Sequence, residues 1–341
     1  MPAQARRSLM LTAPRQLAWI EEPLPALGAH DVLIETRAGA VSIGSELPLY
    51  LGKARSSKPA TYPRMTGYES LGVVLACGSA VRSVQPDTRV VSFYGHRTHA
   101  VVDESKVIPV PDDVPDTLAL LVILTCDAAK GVRKLTPPPE ENILITGAGA
   151  MGLFTLFILH EYGCANVDVV EPRRERHALT SQLGARRVMI VRESTGSGES
   201  YSVGFECSSR NDAFALLQAR LRLEGRICVI ADGNLEPLTL TPAFHKKELR
   251  IIATSDGWDY HQHAVWYFDY LRRHTTTLAE VFQEEIASDD LLRWFALQAN
   301  LVEAGNAGSV KILVRYMAPS AQLRVRRGGP RAPAPPAIPQ Q

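Results

Sequence analysis

Residues 142–152, NILITGAGAMG, limit what this chain can fold into more than any other stretch. An apolar run, Ile143 to Thr146, leads directly into Gly147, Gly149 and Gly152. The apolar residues that follow (Leu153, Phe154, Leu156, Phe157, Leu159) recur at helical spacing. The order is strand, tight turn, helix. In such a turn the first glycine permits the bend and the second admits a diphosphate to the backbone. The third lets helix and strand pack closely while the helix N-terminus faces the anion, which makes Ala150 and Met151, between the glycines, cofactor-binding candidates as well. Residues 166–170 (NVDVV) read as the next strand, ending at Glu171. A carboxylate there accepts hydrogen bonds from ribose hydroxyls and repels a 2′-phosphate, so a dinucleotide site is expected, with NAD favoured over NADP. Arg173 and Arg174 leave the choice open, because they could pair with a 2′-phosphate, stack on adenine or stay solvated.

Around this unit the pattern alternates. Strand-like runs at 186–191, 203–207, 226–231 and 249–253, with helical runs at 152–161, 173–183 and 211–222, predict a six-stranded, doubly wound parallel sheet of the α/β class. The link at 193–201 is Ser/Gly-rich and too short for a full helix. Upstream, short runs at 9–12, 17–20, 31–36, 67–78 and 88–93, punctuated by glycine and proline, predict a small, partly closed β domain. Residues 96–102 and 107–110 read as a hairpin closed by the PDDVPD turn. Helices are expected at 117–134, 261–274 and 289–303, the second carrying His261 and His263 on a solvated face, before a closing strand at 310–314.

Composition narrows the functions. At 341 residues the chain suits two domains. Its net charge is +1 and it has no basic stripe with interleaved aromatics, which argues against a nucleic-acid partner. The five cysteines are scattered without a CxxC pair, which favours a reducing compartment over a disulfide scaffold or a cysteine-built zinc knuckle. No apolar run is long enough for a signal peptide or a membrane span, so a cytoplasmic location is expected. Residues 317–341, rich in Arg, Pro and Ala, are expected to be a disordered tail.

Three further patterns carry a family resemblance: EEPLPALGAHDVLIET, GYESLGVV and PDTRV. With the glycine turn, they resemble the medium-chain dehydrogenase/reductase superfamily over residues 8–315. The resemblance implies a GroES-like, β-rich catalytic domain made of residues 1–120 and 262–316, and a Rossmann NAD(P)-binding domain over 121–261. It also implies an active site in the cleft between them, a small-molecule substrate and a homodimer joined at the strand 249–253. Zinc-binding members place cysteine, histidine and a third ligand where this chain has Ser42, Tyr68 and, four residues before Thr125, Leu121. Thr125 itself matches a conserved threonine of the cofactor side, and Cys126 is the alternative third ligand. Residues 78–112 contain no cysteine for the structural zinc lobe. A metal ion is therefore not expected.

The SIGSE and GYE pairing resembles, within that superfamily, the dehydrogenase that oxidises the 3-(1-hydroxyethyl) group of bacteriochlorophyllide a. Ser45 matches the hydroxyl that relays the proton in zinc members. Without a metal the proton must leave through protein groups, and the candidates are Ser45, Glu46, Tyr68, Glu69 and either His96 or His99. Ser45 and Glu46 also suit the first turn of a helix. The reading is a zinc-independent, NAD-dependent oxidoreductase acting on a secondary alcohol or ketone. An NADPH-dependent quinone or enoyl reductase and a non-catalytic nucleotide-binding homologue are the alternatives.

Overall fold

A computed structural model describes residues 5–53, 60–191, 201–231, 236–305 and 308–316. Strands β1 (Ala5–Ala13) and β2 (Gln16–Pro23) form an antiparallel hairpin that turns at Pro14 and Arg15, the latter at φ 62°. Strand β3 (Asp31–Val41) alternates half-buried and buried residues along its first half and is buried throughout at its far end, so it lies on the core with both faces covered at one end. It runs into helix α1 (Ile43–Tyr50). After β4 (Arg64–Met65), which pairs with β1, the antiparallel strands β5 (Glu69–Cys77), β6 (Arg89–Ser92), β7 (His99–Asp103) and β8 (Ile108–Pro109) complete the N-terminal part.

The expected hairpin over 96–110 does not form. β7 pairs with β3 and β8 pairs with β6, because a 3-10 turn at Glu104–Lys106 carries the chain between different strands.

Helices α2 (Asp116–Leu120) and α3 (Val122–Leu135) lead into the parallel sheet. Its strands are β9 (Ile143–Thr146), β10 (Val167–Val170), β11 (Arg187–Met189), β12 (Tyr201–Glu206), β13 (Leu221–Val229) and β14 (Arg250–Ala253). Helices α4 (Ala150–Glu161), α5 (His177–Gln182), α6 (Asn211–Arg220) and α7 (Pro242–Lys246) lie between them. The strand order β11-β10-β9-β12-β13-β14 is that of a doubly wound sheet, with the switch point beside β9. β13 begins five residues before the expected 226 and takes over what read as the end of a helix. The Ser/Gly-rich link falls almost wholly outside the described residues.

Helix α8 (Tyr260–Arg273) follows, then β15 (Phe282–Ala287), α9 (Leu291–Glu303) and β16 (Lys311–Arg315). β15 is a strand the sequence pattern missed, since Phe-Gln-Glu-Glu-Ile-Ala carries two adjacent carboxylates. It is an edge strand parallel to β16, and β16 pairs with β3, so the chain's last described segment completes the first sheet. The α/β class, with a GroES-like β-rich part and a Rossmann sheet, is the observed one.

One hydrophobic cluster runs from Ala38, Leu71 and Val91 through α2 and α3 to Ile143, Phe154 and Phe205. α3 is thus buried between the six-stranded parallel sheet and the seven-stranded sheet that contains β3. Each fully buried side chain of that size contributes about 1.5–3 kcal/mol by leaving water. His263, expected on a solvated face, is buried inside this region against Trp266 and Tyr267, and burial lowers its pKa to about 3. Among the described residues no helix is long and apolar enough to cross a membrane.

Candidate active site

Pairing register explains why polar groups converge at one end of the first sheet. Ile312 of β16 lies opposite Val41 of β3, and Glu69 of β5 lies opposite Ala40. Lys311, Ser42 and Glu69 therefore meet. Lys311 Nζ donates to Glu69 Oε1 at 2.5 Å and to Ser42 Oγ at 3.0 Å, and Ser42 Oγ donates to Glu69 Oε1 at 2.5 Å. Both charged side chains are fully buried. Burial pushes the Glu69 carboxyl above its usual range, while Lys311 and Ser42 pull it down.

The first turn of α1 builds the next layer. Glu46 Oε1 accepts the Ser42 N–H at 2.8 Å, and its Oε2 lies 3.0 Å from His96 Nε2, with both side chains buried. The His96 ring rests on Gly67. A Cβ there would come within 2.6 Å of the ring, and Gly67 has φ +74°, so the first glycine of GYES is needed for both space and backbone. Ser45 Oγ donates to Ser42 O at 3.2 Å and lies 3.2 Å from the Tyr68 hydroxyl. Burial, with the charge of Glu69, pushes the Tyr68 phenol far above its ordinary pKa, so it stays protonated and serves as a hydrogen-bond donor.

Ser45, Glu46, Tyr68, Glu69 and His96 thus come together. His99 does not join them. It sits in β7 opposite Glu35, with Nδ1 3.2 Å from Thr98 Oγ1, and burial lowers its pKa. Sequence reasoning missed Lys311, although a lysine in the apolar strand Val-Lys-Ile-Leu-Val was the available signal.

Ser42, Tyr68 and Leu121, which the resemblance places at the zinc-ligand positions, offer a hydroxyl, a protonated phenol and an alkyl group rather than a thiolate or an imidazole. Among the described residues no group of three His, Cys, Asp or Glu side chains could hold an ion. Glu69 Oε2 and His96 Nδ1 are buried and have no hydrogen-bond partner among the described residues. The ammonium already on Glu69, however, opposes a second cation. Leu121 and Cys126 are buried in α2–α3 packing, with the Cys126 thiol pushed up to about 11 by burial.

The glycine turn fits a dinucleotide. Gly147 has φ +90°, and a Cβ on Gly152 would stand 1.9 Å from the Gly147 carbonyl oxygen. Gly149, at the N-cap of α4, offers no capping side chain, so the N–H groups of Ala150, Met151 and Gly152 open the helix toward an anion. Glu171 is buried at the end of β10, where Oε2 accepts the Ala148 N–H at 2.7 Å and Oε1 accepts the Arg173 N–H at 2.9 Å. The carboxylate thus braces the turn as well as facing it.

Arg173 and Arg174 are exposed. The arginine that enters this site is Arg176, which sequence reasoning passed over. It is nearly buried, with NH1 3.8 Å from Glu171 Oε2 and NH2 donating to the Gly308 carbonyl at 3.1 Å. Thr125, expected on the cofactor side, is fully buried, and its hydroxyl lies within hydrogen-bond distance of Leu121 O, Val122 O and His263 Nε2.

No family model matches the chain. An L-threonine 3-dehydrogenase of Chelativorans sp. is 24% identical over 344 residues, covering 89% of this chain and 97% of its own. A Sinorhizobium meliloti protein described as a zinc-binding dehydrogenase, bound to NADP, superposes with a TM-score of 0.76 at 17% identity, covering 92% of this chain and 99% of its own. An Escherichia coli alcohol dehydrogenase complexed with NADH gives 0.75 at 20% identity, covering 91% and 99%. The chain is an enzyme of the dehydrogenase kind. Its neighbours hold either nicotinamide nucleotide, so the likeness supports a nicotinamide cofactor without choosing between them.

Proposed function

We propose that this chain is a zinc-independent, NAD-linked oxidoreductase that moves a hydride between nicotinamide and a carbon bearing a secondary hydroxyl or its ketone. The observation that carries the reading is the Lys311–Glu69–Ser42 cluster: a buried ammonium is hydrogen-bonded to the serine at the first zinc-ligand position.

Bound nicotinamide dinucleotide supplies the hydride acceptor or donor. The turn from Gly147 to Gly152 holds the diphosphate at the start of α4, and Glu171 faces the ribose and favours NAD. Ser45 and Tyr68 present two hydroxyls to the substrate oxygen, and Lys311 supports negative charge on their side of the cleft. Glu46 fixes His96, which in turn packs the Gly67–Tyr68 bend. The catalytic domain is taken as residues 1–120 and 262–316 and the nucleotide domain as 121–261. The assembly is taken as a homodimer joined at β14, located in the cytoplasm. A hydroxyethyl side chain on a bacteriochlorophyllide belongs to this substrate class on the strength of the SIGSE and GYE motifs.

The test is formation of reduced nicotinamide from a panel of secondary alcohols, including L-threonine and hydroxyethyl tetrapyrroles, with NAD and NADP, before and after treatment with a strong chelator. Turnover with NAD that the chelator leaves unchanged, in protein with less than one equivalent of zinc, is the expected result. Stoichiometric zinc with chelator-sensitive turnover overturns the metal-free reading.

A further inference from the structure

We infer that the substrate is a secondary alcohol on a planar apolar ring that also bears an acidic group. The cavity between Phe93 and Trp258 takes the ring, and Lys106 at its rim takes the acid. The inference rests on the oxidoreductase reading and adds to it the class of alcohol.

Sheet geometry places the cavity. The strands of the six-stranded sheet are parallel and end at one rim, so the turn after β14, residues 254–259, lies on the same rim as the Gly147 turn after β9. On the other side, Ser70 of β5 pairs with Ser92 of β6, which brings Phe93, one residue on, level with Glu69, the neighbour of Tyr68. Tyr68, Phe93 and Tyr260 all pack on the apolar cluster that runs through α3. Between these walls lies a cavity of about 300 Å³, lined by Phe93, Lys106, Ile108, Trp258, Tyr260 and His261. It opens between the rim that holds the nucleotide and the strand that carries Tyr68 and Glu69.

Most of its wall is fixed. The Phe93 and Tyr260 rings meet edge-on, 4.8 Å between centroids. Tyr260 Oη donates to Asp127 Oδ1 at 2.8 Å and accepts the Gly257 N–H at 2.7 Å. His261 Nε2 donates to the Val107 carbonyl at 2.8 Å and so ties the start of α8 to the segment before β8. Trp258, by contrast, is 57% exposed. A tryptophan that open, in one lining with Phe93 and Ile108, presents a face that a flat ring can cover, and aromatic pairs gain from such contact. A cavity of about 150 Å³ suffices for benzene, so this one seats one ring or a fused pair. A larger conjugated body must extend outward past Trp258.

Charge selects the substituent. The two acids at this rim serve as caps: Asp103 Oδ1 accepts the Ser105 N–H at 2.9 Å and its hydroxyl at 2.6 Å, and Asp259 Oδ1 accepts the Gln262 N–H at 2.9 Å. Lys106 is exposed and forms no ion pair among the described residues. Its ammonium is the charge left for a ligand, which favours a carboxylate on the ring over a neutral or basic group.

The experiment uses the full chain with NAD and four alcohols: 4-(1-hydroxyethyl)benzoate, its uncharged amide, 1-phenylethanol and 2-butanol. Wild type is compared with K106M, K106R and W258A. The benzoate is expected to show the highest kcat/KM. K106M is expected to raise the KM of the benzoate about threefold to fivefold relative to that of the amide, the range of an exposed ion pair, while K106R keeps the preference. W258A is expected to raise the KM of the three ring alcohols about tenfold relative to that of 2-butanol. A second readout needs no turnover: 4-acetylbenzoate, the ketone product, quenches tryptophan fluorescence in wild type, more weakly in K106M and hardly at all in W258F. Wild type that prefers 2-butanol or the amide overturns the inference, and so do variants that shift all four alcohols alike. Wild type that oxidises 2-butanol but is not quenched by 4-acetylbenzoate also overturns it. Wild type that turns over no alcohol, yet shows the quenching and its loss in W258F, counts against the oxidoreductase reading and leaves the ring site standing.

Discussion

Lys311 and Glu69 are the residues on which the first sheet's polar end depends. With both side chains fully buried, each charge is tolerable only because the other is 2.5 Å away. K311M leaves a carboxylate sealed in the interior without its counter-ion and is expected to cost about 3–5 kcal/mol, read as a lower midpoint in chemical denaturation. Pairing it with E69L is expected to restore most of the loss; if K311M alone is as stable as wild type, Glu69 is uncharged in the native protein.

Asp127 gives a prediction of the opposite sign. Its folded pKa of about 7 lies above the ordinary 3.8, so the folded protein keeps a proton that the unfolded chain releases. The stability this represents is complete below about pH 4 and falls as pH rises to about 7. D127N removes that dependence. Its gain over wild type in thermal melts is expected to grow across this interval and level off at no more than about 4 kcal/mol. A gain that does not change with pH would contradict the shifted carboxyl. Ser45, Tyr68 and Glu69 were legible because they sit in two short motifs. Lys311 was not, since 242 residues separate it from Glu69 and only sheet register makes them neighbours.

At the scale of elements, the turn between β9 and α4 is the most exacting. A methyl group on Gly152 would run into the Gly147 carbonyl oxygen, which is backbone and cannot swing aside. G152A is expected to push the helix off the turn, weakening NAD at least about tenfold by fluorescence titration and destabilising the fold by about 1–3 kcal/mol. G44A, on α1 with open space around its Cβ position, is the control and is expected to be neutral or stabilising by up to about 1 kcal/mol. Equal effects from the two would mean the turn has room to spare. The parallel strands were readable because burial on both faces leaves uninterrupted apolar runs such as Ile143–Thr146. β15 was not, because Glu284 and Glu285 mask the pattern at a sheet edge. The supposed hairpin at 96–110 failed because local turn signals do not say which strand a segment will pair with.

For the whole molecule, the two-part fold and a closing strand at 310–314 were legible, and the strand pairing that closes it was not. Six alternating strands and a glycine turn define one sheet from sequence alone. That β16 slots between β3 and β15 is settled by packing across almost the full length of the chain. The continuous core through α3 ties the two sheets together, so a change in the cleft wall is felt on both sides of it. The position of Lys311 also bears on how the protein is made. The acid it neutralises is translated 242 residues before the ammonium, so a nascent chain cannot seat Glu69 in its native pocket until Lys311 has left the ribosome. A chain cut short before Lys311 would carry a bare strand edge and an unmatched interior charge, which marks it for aggregation or proteolysis rather than for partial activity.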